Sequence, residues 1–194
     1  MKNLTPTIDQ AFPLAERSAV SAFLWTLCFA CLTAVGAKIA VPAPVPLTMQ
    51  DTFVLLSGVF LGARKGALSQ LLYLGAGAAG LPVFALGGGF LYFLGPTGGF
   101  LLAFPLAAFV AGLLVHDSGL VRKPSFHLAF LALLLGQTLI YAIGVPWYMA
   151  SLGVSFERAF QLSVADLLPW AFLKLVLLAA IYREATRRFM TREE

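Results

Sequence analysis

Lys174 is the residue whose position most suggests chemistry, because it lies inside an apolar run from Ser163 to Tyr182 with no membrane edge close on either side. A lysine at the centre of a membrane helix costs about 2.5 to 3.5 kcal/mol on insertion scales. Such a side chain is expected to face a polar cavity, a buried partner or a bound anion. An anion would make Lys174 a ligand contact. An internal salt bridge, or a side chain that extends to the membrane surface, would make its role structural.

Asp166 is the only acidic residue within a predicted span, eight positions before Lys174. On one helix this separation places the two side chains about 12 Å apart along the axis, which is too far for a close ion pair. Asp166 could contribute to a binding site, or it could cap a helical turn that begins just before Pro169. Lys38, near the end of the first apolar run, is expected to extend to the membrane surface.

The sequence contains glycines with the spacing of a dinucleotide-binding loop, Gly75, Gly77 and Gly80. They end a membrane span, and no acidic residue between Asp51 and Asp117 could hold a ribose. A phosphate-binding GxxxxGK[ST] loop, a G-x-S-x-G turn and paired carboxylates are also missing from the sequence. We therefore expect a protein that is not an enzyme and that binds no nucleotide cofactor.

The four residues that most readily bind metals do not form a metal site by their spacing. Cys28 and Cys31 lie inside the first apolar run, whereas His116 and His127 flank a connection far along the chain. A zinc site would need further ligands close to these residues. We expect the cysteines to fill space between helices and the chain to hold no metal.

The composition indicates an integral membrane protein. Hydrophobic residues make up 60% of the 194 residues, charged residues make up 11%, and the mean hydropathy is +0.89. A soluble protein of this size would have too little polar surface. The net charge of +4 is spread in pairs between apolar runs, so we expect the lipid bilayer as a partner and no nucleic acid.

The apolar runs predict an all-α fold, a polytopic bundle of six transmembrane helices in a single domain that covers residues 1–194. The second span is short, and the third is rich in alanine and glycine, so either could be tilted, broken or sheltered by neighbours. The predicted spans are Ala19–Val41, Thr52–Ala63, Gly66–Leu81, Gly98–Val115, Ser125–Gly144 and Ser163–Tyr182.

The basic residues predict that both termini are cytoplasmic, because positive charge concentrates on the inner side of membrane proteins. Residues 1–18 would then form a cytoplasmic N-terminal segment and residues 183–194 a cytoplasmic tail. Ten of the thirteen basic residues lie on the inner side in this arrangement: Lys2, Arg17, Arg64, Lys65, Arg122, Lys123, Arg183, Arg187, Arg188 and Arg192.

The outer connections have the composition of loops that close over a ligand. Residues 41–51 hold three prolines, residues 82–97 are glycine-rich and uncharged, and residues 145–161 include Pro146, Trp147 and Tyr148. Proline and glycine preset turns and allow close backbone approach. These loops could cover a pocket, or they could simply be ordered connections.

Five short segments follow one another along the chain: Pro46–Gln50 (PLTMQ), Leu71–Gly75 (LLYLG), Gly80–Ala85 (GLPVFA), Gly95–Phe100 (GPTGGF) and Gly144–Trp147 (GVPW). In this order and spacing they resemble the biotin-specific S component of the energy-coupling-factor vitamin transporters. GLPVFA followed by GPTGG is the most specific part of this resemblance, which extends from about Ala30 to Lys174.

The resemblance implies a multi-pass protein of the bacterial cell membrane that captures biotin from outside. It also implies a complex with one transmembrane coupling protein and two cytoplasmic ATPases. The small residues of the family's first span, which are thought to meet the coupling protein, correspond to Ala30 and Ala34. In the last span Pro169 and Lys174 match the family pattern, whereas Ala171 stands where the family carries an aspartate.

Biotin offers a carboxylate, an apolar chain with a thioether ring, and a ureido group that both donates and accepts hydrogen bonds. Together with the resemblance, this chemistry leads us to predict that Lys174 meets a charged or polar end of the ligand and that Trp147 covers its apolar body. Asp166 is kept as a further candidate. The predicted hydrogen-bonding residues are Thr48, Gln50, Tyr73, Thr97 and Tyr141.

Two other functions stay open. Ala171 in place of the aspartate could indicate a different small vitamin. A membrane-embedded lipid-modifying enzyme would need a nucleophile or metal cluster near one interface, and the sequence provides neither.

Overall fold

The computed structural model describes residues 19–41, 46–117, 125–165 and 168–190. Within these ranges the chain forms seven α-helices, a hairpin of two very short antiparallel strands, one 3-10 turn and one π-helical turn. The helices are α1 (Ala19–Lys38), α2 (Gln50–Leu61), α3 (Ala63–Ala78), α4 (Gly98–Gly112), α5 (Phe126–Leu152), α6 (Phe156–Ser163) and α7 (Leu168–Met190). The strands are β1 (Ala40–Val41) and β2 (Leu47–Thr48), the 3-10 turn is Phe90–Leu94, and the π turn is Leu113–Asp117.

The helical class predicted from the sequence is confirmed. Three helical segments, Ala19–Lys38, Gly98–His116 and Phe126–Leu152, are long and apolar enough to cross a membrane, and α6 with α7 makes a fourth if that bent pair counts as one span. Helices α2 and α3 are shorter, with 12 and 16 residues. The chain is therefore a multi-pass membrane protein by the length and composition of its helices.

The fifth predicted span, which was expected to end at Gly144, is wrong at that end. Helix α5 continues through Pro146 to Leu152, so Trp147 and Tyr148 lie on a helix instead of in a loop. Gly144 lies inside the helix and serves packing there, because a side chain at this position would overlap the ring of Phe100. Membrane helices tolerate an internal proline when neighbouring groups satisfy the freed backbone.

The sixth predicted span is wrong at its start, because Ser163 ends the separate helix α6 and the long helix α7 begins only at Leu168. Helix α6 ends at Ser163, helix α7 begins at Leu168, and the two axes differ by 50°. Ser155 caps α6, since its Oγ accepts a hydrogen bond from the backbone N–H of Arg158. Lys174 therefore lies in the second turn of α7, close to a helix end.

Gly58 and Gly66 let neighbouring helices approach each other closely. A Cβ at Gly58 would overlap the carbonyl of Ala108 on α4, and a Cβ at Gly66 would lie 2.8 Å from the Cα of Gly58. Gly62 instead joins α2 to α3 with a φ of +81°, a conformation that favours glycine. These contacts hold α2, α3 and α4 close together, as small residues do in membranes.

The directions of the helices define two ends of the bundle. Tyr182 of α7 contacts Phe60 near the end of α2, and the ring of His116 lies 2.8 Å from the carbonyl oxygen of Val59. The α2–α3 turn therefore shares one end with the last turns of α4 and α7. The opposite end, which we call the pocket end, holds the β1–β2 hairpin, the starts of α2 and α4, and the connection between α3 and α4.

Candidate functional site

A cavity lies at the pocket end between the hairpin, the start of α2 and the facing sides of α4 and α5. About 650 Å³ of atom-free space lies within it, a volume that includes open solvent. Its lining residues are Pro46, Thr48, Gln50, Asp51, Ala85, Tyr92, Thr97, Phe100, Leu101, Phe104, Gln137, Ile140, Tyr141 and Ser163.

Lys174 forms a salt bridge with Asp51, which lines this cavity. The Lys174 Nζ donates to both carboxylate oxygens of Asp51, at 2.7 and 2.6 Å. The lysine side chain is 7% exposed and the aspartate side chain 16% exposed. The internal salt bridge, one of the alternatives drawn from the sequence, is therefore what the structure contains.

Asp51 was missed by the sequence analysis, which treated Asp166 as the only acidic residue within a span. The residue belongs to the first turn of α2, where a carboxylate interacts favourably with the helix dipole. Its Oδ1 also accepts a hydrogen bond from the backbone N–H of Thr52 at 2.9 Å. An acidic residue at the start of a short membrane helix was the signal that could have identified it.

Four of the predicted hydrogen-bonding residues line the cavity: Thr48, Gln50, Thr97 and Tyr141. Thr48 belongs to β2, Gln50 begins α2, Thr97 immediately precedes α4 and Tyr141 lies on α5. Besides Asp51, the lining residues Tyr92, Gln137 and Ser163 carry polar groups that were not predicted.

Tyr73 does not line the cavity, although it was predicted as a direct contact. Its buried hydroxyl group donates to Oε1 of Gln50 at 3.0 Å and lies 3.4 Å from the carbonyl oxygen of Val83. The ring packs edge-on against Phe84, with 5.5 Å between centroids. Tyr73 therefore orients the amide of Gln50 from behind.

Trp147 is also absent from the cavity wall, because α5 continues past Gly144 and carries this residue to the rim. Its indole Nε1 donates to the carbonyl oxygen of Gly95 at 3.0 Å. Its Cβ packs where a side chain on Gly99 would otherwise lie. The residue thus fixes the start of α4 and the loop before it.

The connection between α3 and α4 folds over the cavity; we call residues 81–94 the cap segment. Phe84 of the cap segment is fully buried and fills the space beside Gly77, where any Cβ would overlap its ring. Lys38 was expected to extend to the membrane surface. Instead its Nζ donates to the carbonyl oxygen of Phe84 at 2.7 Å, which ties the end of α1 to the cap segment.

Of the other predicted residues, Ala30 and Ala34 do not line the cavity. Asp166 falls outside the described residues. Ala30 is buried in the core, and Ala34 is half-buried against it. Contact of these alanines with a partner protein stays a prediction.

The side chains around the cavity suit binding better than catalysis. The polar groups are hydroxyls, amides and one carboxylate whose charge Lys174 already balances. The rest of the wall is aliphatic or aromatic. A pocket of this kind holds a small, mostly apolar molecule and orients it with a few hydrogen bonds.

Comparison with known proteins identifies close relatives. A family model described as the BioY family matches residues 9–191. The probable biotin transporter BioY of Lysinibacillus sphaericus is 44% identical over 142 residues, covering 73% of this chain and 70% of that protein. The probable biotin transporter BioY of Pyrococcus horikoshii is 47% identical over 138 residues, covering 70% of this chain and 78% of that protein.

A solved structure has the same fold. The crystal structure at 2.1 Å of the S-component for biotin from an ECF-type ABC transporter matches with a TM-score of 0.80. The match covers 87% of this chain and 92% of that chain, at 22% sequence identity. The helical arrangement described above is therefore that of an S component.

Proposed function

Because this chain belongs to the BioY family, we propose that it takes up biotin as the substrate-binding subunit of an energy-coupling-factor transporter. The family match over residues 9–191 carries this conclusion. The expectation that the chain is not an enzyme is confirmed, since its named relatives are transporters.

The cavity suits biotin in the polarity of its wall. Phe100, Phe104 and Ile140 provide an apolar surface for the thioether ring and the valeryl chain. The hydroxyl and amide groups of the wall can donate to and accept from the ureido ring. A mostly apolar pocket with a few placed polar groups is the usual arrangement for such a ligand.

The Asp51–Lys174 pair favours a neutral, hydrogen-bonding group of the ligand at its corner of the cavity. A free carboxylate placed there would face the carboxylate of Asp51, and Lys174 is already neutralised. A ureido N–H can donate to Asp51 without disturbing the salt bridge. Lys174 then acts by holding Asp51, and the lysine contacts the ligand directly only if the pair opens.

The other polar residues either contact the ligand or hold in place the residues that do. Thr48, Gln50, Thr97 and Tyr141 line the cavity and are proposed to contact biotin. Tyr73 positions Gln50, and Trp147 positions the loop before α4. Asp166 remains a candidate ligand contact from the sequence alone.

We further propose six spans in one domain, with both termini in the cytoplasm of a bacterial cell. Helices α2 and α3 complete the six when they are counted as shorter crossings. Arg64 of the α2–α3 turn and Arg183 of α7 lie at the same end of the bundle, which supports a cytoplasmic assignment of that end. The pocket end then faces outward.

The proposed partners are one transmembrane coupling protein and two cytoplasmic ATPases. The sequence lacks a phosphate-binding loop of its own, so hydrolysis must come from another subunit. Ala34 lies at the edge of the core on α1, where a partner helix could approach it more easily than it could approach the buried Ala30.

Equilibrium binding of labelled biotin to the purified protein in detergent tests the proposal. Saturable binding at one site per chain, competed by unlabelled biotin, is expected. The control variant Thr138→Ala should bind biotin as the unchanged protein does, because this exposed hydroxyl donates to the carbonyl oxygen of Leu134 on its own helix. Absence of binding, or competition by another small vitamin at lower concentration, would contradict biotin as the substrate.

A further inference from the structure

The cap segment carries large apolar side chains that no described part of the chain covers. Leu86 is 79% exposed and Leu91 77% exposed, and Leu81, Phe90 and Leu94 are also exposed. The sequence has no acidic residue, lysine or arginine between Lys65 and Asp117, so no charge interrupts this surface. An exposed apolar surface of this kind marks contact with a protein or with a membrane.

The lengths of α2 and α3 place the cap segment within the thickness of a bilayer. Helix α2 has 12 residues and α3 has 16, which correspond to about 18 and 24 Å. The hydrocarbon layer is about 30 Å thick. Because Arg64 and Lys65 hold the start of α3 at one polar boundary, α3 ends several ångströms short of the other boundary. The chain that follows therefore begins inside the apolar layer.

Part of the backbone of the cap segment is hydrogen-bonded within the protein. Irregular backbone at membrane depth is tolerated where the protein buries it or where it lines a cavity, and Ala85 and Tyr92 of this segment line the cavity. Phe84 and Gly87 exchange backbone hydrogen bonds of 2.9 and 3.3 Å. Gly89 N–H donates to the carbonyl oxygen of Gly77 at 2.7 Å, and Tyr92 N–H donates to that of Gly89 at 3.1 Å.

The cap segment has a defined inner and outer side. Phe84 is buried beneath it, in ring contact with Tyr92 and Phe93 at 4.8 and 5.4 Å between centroids. Leu86, Leu91 and Leu94 are exposed, in contrast to Phe84. The segment is thus held to the protein by the packing of Phe84, and its exposed surface is apolar.

We propose that the cap segment is immersed in the lipid leaflet at the pocket end, with Leu86, Phe90, Leu91 and Leu94 in contact with acyl chains. The helices joined by this segment also carry exposed leucines, Leu71 of α3 and Leu102 of α4. The apolar surface is therefore continuous along the chain from one lipid-facing helix to the next. Phospholipid is the occupant that such continuity favours over a second protein.

Spin-label accessibility in lipid nanodiscs tests this placement independently of biotin binding. Cys28 and Cys31 were expected to fill space between helices, but both are exposed, so they are first replaced by alanine. Single cysteines are then introduced as Leu86→Cys and Leu91→Cys. Phe23→Cys on α1 is the lipid-facing reference, and Glu157→Cys on α6 is the water-facing reference, because both side chains are exposed.

Labels at positions 86 and 91 are expected to collide several-fold more often with dissolved oxygen than with a water-soluble nickel chelate, as at position 23. Position 157 should show the reverse ratio. Nickel accessibility at 86 and 91 equal to that at 157 would overturn the proposal. Protection from both reagents would also overturn it, because a second protein would then cover the surface.

Discussion

The ammonium group of Lys174 lies 2.7 and 2.6 Å from the two carboxylate oxygens of Asp51, a residue from the start of a different helix. A lysine at membrane depth is thus balanced by a carboxylate of the same chain, and no ligand is needed to neutralise it. Since Asp51 also lines the cavity, the salt bridge joins the binding surface to α7.

Breaking this pair should destabilise the protein. Lys174→Met or Asp51→Asn leaves one buried group without its partner, which costs about 3 to 5 kcal/mol for a buried pair. The loss should be smaller for Lys174→Met, because the group that it leaves unpaired is Asp51, whose side chain is 16% exposed and reaches the cavity. Thermal unfolding in detergent measures the effect, and the double variant should lose less than the sum of the two single variants.

Glu157→Gln is the matched control for Asp51→Asn, because Glu157 is an exposed acidic residue of α6. Its unfolding midpoint should stay close to that of the unchanged protein. Additive losses in the double variant would show that the two side chains are not coupled.

Gln50→Ala should weaken biotin binding more than Tyr73→Phe. The first change removes a group of the cavity wall, whereas the second removes only the hydroxyl that orients it. One hydrogen bond contributes about 0.5 to 1.5 kcal/mol, so a several-fold rise in the dissociation constant is expected for Gln50→Ala. Titration with labelled biotin measures both, and Gln161→Ala on the exposed side of α6 is the control. A larger effect of Tyr73→Phe would contradict the supporting role of Tyr73.

Trp147→Phe should loosen the loop before α4. The substitution keeps an aromatic ring but removes the hydrogen bond from Nε1 to the Gly95 carbonyl. We expect faster amide hydrogen exchange in residues 95–99 and a modest loss of biotin affinity. Trp170→Phe is the control, because Trp170 is an exposed residue of α7. Unchanged exchange in residues 95–99 would refute this role.

Gly77→Ala should displace the cap segment, whereas Gly75→Ala should not. A Cβ at Gly77 would overlap the ring of Phe84, while a Cβ at Gly75 would meet nothing within 4 Å. Both glycines lie on α3, so alanine should improve the helix by up to about 1 kcal/mol at each. A lower unfolding midpoint for Gly77→Ala and an unchanged or higher one for Gly75→Ala are expected. Equal midpoints would mean that Phe84 moves aside without cost.

The composition and the apolar runs were enough to predict a helical membrane protein, and the resemblance to the biotin S component was confirmed by the family match. The end of α5 and the bounds of α6 could not be predicted from composition in the same way. Glycine and proline usually end helices, but Gly144 is retained for packing against Phe100 and Pro146 is accommodated inside α5. Helix α6 was missed because residues 145–161 were predicted as an outer connection, whereas the start of α7 at Leu168 agrees with the helical turn that was expected just before Pro169.

The site was predictable as a set of residues but not as a set of contacts. Thr48, Gln50, Thr97 and Tyr141 lie where the sequence analysis expected them, on the cavity wall. Tyr73 and Trp147 support that wall from behind, a difference that depends on side-chain direction and not on residue type. Asp51 was overlooked because it was counted with a loop, and its partner is distant in sequence.

The salt bridge between positions 51 and 174 also constrains how the protein is made. These residues are 123 positions apart, so the carboxylate of Asp51 has no partner during synthesis until α7 has been translated and inserted. A nascent chain interrupted before that point keeps an uncompensated carboxylate in the lipid, which destabilises its half-built bundle. Truncated chains that lack α7 are therefore expected to be degraded by membrane proteases and not to accumulate.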